Sequence, residues 1–81
     1  MRKDIFDNYL IKLREFLEAD DFRAIDYSLE YIYATVPEKE RSEMEDILQE
    51  VTLYSELREK EYKDAALDLI KVFEGTLSGK E

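Results

Sequence analysis

Carboxylates are the groups in this sequence with the most chemical potential. The 81 residues hold 21 Asp and Glu, against 12 Lys and Arg and no His or Cys. Paired carboxylates can shuttle protons or hold hard cations, and their spacing decides which. A calcium loop needs Asp-x-Asp-x-Asp-Gly with a later Glu, and Asp20-Asp21 lacks that spacing. A di-iron bundle needs Glu-x-x-His, which a chain without His cannot supply. Glu43, Asp46 and Glu50 stand at i, i+3 and i+7 and would share one helix face. Glu56 and Lys60 have the i, i+4 spacing of a favourable helical pair. These charges read as a solvated face or as contacts for a basic partner, and no metal site is expected.

Other chemistries lack their parts. Without His the commonest proton shuttle is missing, and without Cys so is the thiolate nucleophile. The serines at 28, 42, 55 and 78 lie in no Gly-x-Ser-x-Gly elbow. Two glycines in the whole chain form neither a phosphate loop nor a dinucleotide fingerprint. The sequence therefore predicts no catalytic residue, no cofactor and no enzyme.

The elements that position these groups must be helical. Phe6, Tyr9, Leu10, Leu13, Phe16 and Leu17 recur at three- and four-residue spacing and predict a first helix over about 2–19. Asp20 or Asp21 can cap a second, over about 21–35, with Phe22, Ile25, Ser28, Leu29, Ile32, Tyr33 and Val36 on its inner face. Pro37 disfavours helical backbone at Val36. Thr35-Val36-Pro37-Glu38 then reads as a capping box opening helix three. Met44, Ile47, Leu48, Val51, Tyr54 and Leu57 form its seam. The pattern lapses over Arg58-Glu59-Lys60-Glu61 and resumes at Tyr62, Ala65, Ala66, Leu69, Ile70 and Phe73. That lapse predicts a turn, although one helix of about 37 residues, roughly 55 Å long, remains an alternative. Gly75 is the expected helix stop. The fold class is thus all-α, a small antiparallel three- or four-helix bundle. It forms a single domain over 1–75, with a flexible tail over 76–81.

Helix two carries a second apolar flank. At about 100° per residue, Ala24, Tyr27, Tyr31 and Ala34 fall nearly opposite Ile25, Leu29 and Ile32, with Asp26 and Glu30 beside them. A helix apolar on two sides is either sandwiched or presents one side to another molecule. Tyrosine suits the second role, because it offers a large area and a hydroxyl that tolerates water. Helices one and three could clasp helix two from both sides. Otherwise the flank is a homodimer seam or a groove for a different protein.

The net charge of −9 sets the partner class. Binding to DNA or RNA needs clustered cations, and an anionic membrane surface repels the chain. No apolar run approaches the roughly 18 residues of a membrane span, and Met1 to Asp7 has no long apolar stretch of a signal peptide. Cytoplasmic residence and a neutral or basic protein partner, or a second copy, are expected. The reading is a non-enzymatic acidic interaction module, like chaperone, antitoxin or inhibitor adaptors in size and charge alone. The alternative is an acidic mimic of nucleic acid that occupies a basic DNA- or RNA-binding protein. The interspersed Lys12, Arg14, Lys39, Arg41, Lys60 and Lys63 count against it.

Overall fold

The structure is a computed structural model that describes residue 4 and residues 6–78. The expected start of helix one near Arg2, the side chains of Phe6, Leu77 and Ser78, and positions 79–81 of the tail lie outside the described residues. A π-helical turn, Phe6–Leu10, leads into α1 (Ile11–Ala19). Then follow α2 (Phe22–Thr35), α3 (Glu38–Glu43), α4 (Glu45–Leu57) and α5 (Lys60–Ser78). The described residues form an all-α bundle without strands, and none of their helices is long and apolar enough to cross a membrane.

Each helix boundary has a local cause. The two aspartates after α1 divide the work. Asp20 takes the left-handed region (φ 55°, ψ 35°), which Asp tolerates better than most residues, and its N–H donates to the Leu17 carbonyl. The Asp21 carboxylate caps α2 by accepting from the Ala24 N–H at 3.1 Å. Pro37 ends α2 as expected, with Val36 extended at φ −82°, ψ 126°.

Other boundaries differ from expectation. Thr35 remains the last residue of α2, and its hydroxyl donates to the Tyr31 carbonyl at 2.6 Å, so it caps nothing; Pro37 itself precedes α3. Helix three is two helices. Met44 leaves helical geometry (φ −107°, ψ 13°) and closes α3 with a short-range N–H bond to the Arg41 carbonyl. The single long helix does not form, because Arg58 turns left-handed at φ 57° and ends α4. Glu56 and Lys60 thus sit on different helices, and their i, i+4 pairing is lost. At the other end α5 runs straight through Gly75, whose φ is not positive. With no left-handed residue to turn the chain there, nothing stops the helix.

The core gathers one stripe from each long helix: Leu10, Leu13 and Leu17; Ile25, Ile32 and Val36; Met44, Ile47, Leu48, Val51 and Tyr54; Ala66 and Ile70. Burial of this apolar area is the main stabilising term, at roughly 25 cal/mol per Å². The most extensive packing joins α4 to α5, while α2 lies against both α1 and α4, and α1 also touches α5. Of the other expected seam residues, Tyr9, Phe16, Phe22, Leu29, Tyr62, Leu69 and Phe73 pack partly buried against this core, whereas Leu57 and Tyr33 are exposed. Leu57 is the last residue of α4 and is exposed at the turn. Tyr33 sits at the solvent edge, where the Arg41 guanidinium lies 5.2 Å from its ring centre.

Candidate protein-interaction face

The two flanks of α2 have different fates. Its inner side chains Ile25 and Ile32 are sealed against α1 and α4. Its outer tyrosines stay open, with Tyr27 at 68% and Tyr31 at 48% exposure. Ala34 is exposed beside them and Ala24 half-buried. α1 and α4 both pack on α2 but do not enclose it, so the outer tyrosines are left exposed.

The tyrosines still have order. Tyr27 and Tyr31 stack one helical turn apart, with centroids 6.3 Å apart and planes 12° from parallel. Tyr9 of the N-terminal turn reaches over to Tyr31 at 5.6 Å, and its hydroxyl lies 3.3 Å from the Thr35 hydroxyl. Between these rings, Lys12 and Phe16 of α1 complete an open groove of about 500 Å³. Such a groove can receive apolar side chains while its hydroxyls remain hydrated.

Among the described residues, no acidic one lines this groove. Asp26 accepts a hydrogen bond from the Ser55 hydroxyl of α4. Glu30 borders a shallow depression with Leu29 and Thr52 on that same side. Asp26 therefore stands toward α4, while the exposed Glu30 lies between that depression and the tyrosines, off the Tyr9 side of the groove. The row Glu43, Asp46 and Glu50 is broken, because the α3–α4 interruption at Met44 falls between its first two members. Only Asp46 and Glu50 keep helical register, with Asp46 exposed and Glu50 half-buried. Among the described residues no group of three or more carboxylates is placed to hold a metal ion.

A second polar cluster has no counterpart in the sequence pattern. The Asp20 carboxylate accepts from the Tyr54 hydroxyl at 2.5 Å and from Lys63 Nζ at 2.9 Å. This ties the α1–α2 turn to α4 and α5. Phe22 packs on the Tyr54 ring at 5.1 Å, and the Arg58 guanidinium covers Phe22 at 4.2 Å. The Tyr54 hydroxyl is pushed up to about 12, first by donating to Asp20 and then by burial. The same bond, with Lys63 next, holds the Asp20 carboxyl below its usual range. These shifts drive both groups away from neutrality, opposite to the tuning a general acid or base needs. The cluster is thus a clasp between helices. One sequence signal pointed to it: only one aspartate of Asp20-Asp21 was needed as a cap.

The chain matches no protein-family model, no curated protein and no solved structure.

Proposed function

We propose that this protein is a non-enzymatic interaction module whose outer α2 face docks a protein partner. The observation that carries this reading is the pair Tyr27 and Tyr31, left open and mutually stacked beside the α1 groove. Stacking fixes the rings before any partner arrives, so less side-chain entropy remains to be lost on binding. The net charge of −9 steers neutral or basic proteins toward the molecule and repels nucleic acid and anionic membranes. Cytoplasmic residence belongs to the same proposal.

The experiment is affinity capture from native lysate with the wild type and with Tyr27→Ala/Tyr31→Ala. The expected result is a partner retained by the wild type and lost by the variant, with equal helical circular dichroism for both. Equal retention by the two proteins would place the docking surface elsewhere.

A further inference from the structure

We infer that the occupant of the outer α2 face is the same face of a second copy of this chain, with the two α2 helices antiparallel. This rests on the interaction-module reading and names its partner. Arg23, Tyr27, Glu30, Tyr31 and Ala34 fall within about 100° of the α2 helical wheel. Arg23 and Glu30 are both exposed. They are seven residues apart, about 10 Å along the axis, with Tyr27 close to the midpoint. A two-fold axis passing beside α2 at that midpoint sets Arg23 against Glu30 of the second copy, and does so twice. It also sets Tyr27 against Tyr27. The axis preserves the flank on which Arg23 and Glu30 lie, so both ion pairs form on one side of the seam. The small, exposed Ala34 adds no bulk beside the paired rings.

Charge selects this occupant over others. The strip holds one cation and one anion in a chain whose net charge is −9. The net acidity steers neutral or basic proteins to the molecule at large, but on this strip a partner presenting only cations would set one against Arg23, and a parallel pairing would set Arg23 on Arg23 and Glu30 on Glu30. Repulsion between the acidic remainders is screened beyond a Debye length of about 8 Å at physiological ionic strength. One helix pair is a small interface, which places the association at the weak end of specific contacts.

Sedimentation equilibrium of the wild type, Arg23→Glu, Glu30→Arg and an equimolar mixture of the two variants tests this. Both side chains are exposed, so the variants should keep the fold. The wild type is expected to dimerise with concentration. Each variant alone is expected to weaken dimerisation tenfold or more, because like charges then meet twice. The mixture is expected to regain it. Positions 23 and 30 are both acidic in one variant and both basic in the other, so opposite charges meet at both contacts of the mixed dimer. A wild type that stays monomeric up to about 1 mM, variants that dimerise like the wild type, or a mixture that stays monomeric would each overturn the inference. If the wild type is monomeric but lysate capture still depends on Tyr27 and Tyr31, the second-copy inference falls and the interaction-module reading stands. If neither is seen, both fall.

Discussion

Tyr27 and Tyr54 stand on neighbouring helices and meet opposite fates. Tyr54 is 6% exposed, its ring under Phe22 and its hydroxyl on Asp20. Tyr27 is 68% exposed and stacks on another tyrosine. The difference is one of partners, since the residue type is the same. Where a carboxylate from one inter-helix turn and an aromatic from the next helix converge, tyrosine becomes a clasp. Where neighbouring helices leave a flank uncovered, it remains available to another molecule. A buried stripe, an inter-helix clasp and an open face should therefore respond to mutation in that order of severity.

The largest effect is expected in the buried stripe behind the open face. Ile32 is 1% exposed, and Ile32→Ala should cost about 2–5 kcal/mol in chemical denaturation. A negligible loss would mean that the sealed and open flanks of α2 have been exchanged.

The clasp comes next, and pH reads it. The Tyr54 hydroxyl is pushed up to about 12 from its ordinary value of 10, so the folded state favours its protonated form. Its stabilisation is complete below pH 10 and is lost as the pH rises through about 12. The Asp20 carboxyl sits below its ordinary 3.8. Its contribution is complete above that value and is lost as the pH falls through the folded-state value. Both limbs report largely one hydrogen bond and should not be added. Tyr54→Phe is expected to destabilise less than Ile32→Ala and to flatten the decline between about pH 10 and 12. A wild-type-like alkaline limb in Tyr54→Phe would show that the clasp contributes nothing.

The open face should affect stability least. Tyr27→Ala/Tyr31→Ala in dilute solution is expected to change stability by only about 0.5 kcal/mol per site. A loss approaching that of Ile32→Ala would make the outer rings part of the core.

The open face and the closed clasp differed in how far the sequence disclosed them. The all-α class, the Val36–Pro37 boundary and the two-sided apolarity of α2 were legible, because periodicity and proline act within a few residues. The clasp was not, because Asp20, Tyr54 and Lys63 meet across separations of 34 and 43 residues. Turns made without glycine were equally hidden. Arg58 adopts left-handed backbone that its residue type does not advertise, and Met44 breaks a helix in which it also seals the core. Gly75 misled in the opposite sense: a glycine permits a stop, and nothing in the chain requires one there. The break at Met44 also divided the Glu43–Asp46–Glu50 row, so an acidic face read from spacing alone did not survive.

The proposal stands or falls on whether the outer face of α2 meets a protein. Site-specific photo-crosslinking in native lysate tests it most directly, with a benzophenone side chain at position 27 or, as control, at the exposed Asp68 of α5. A discrete protein adduct, to a second copy or to another chain, is expected from position 27 and none from position 68. Adducts of equal yield from both positions, or an adduct from position 68 alone, would contradict it.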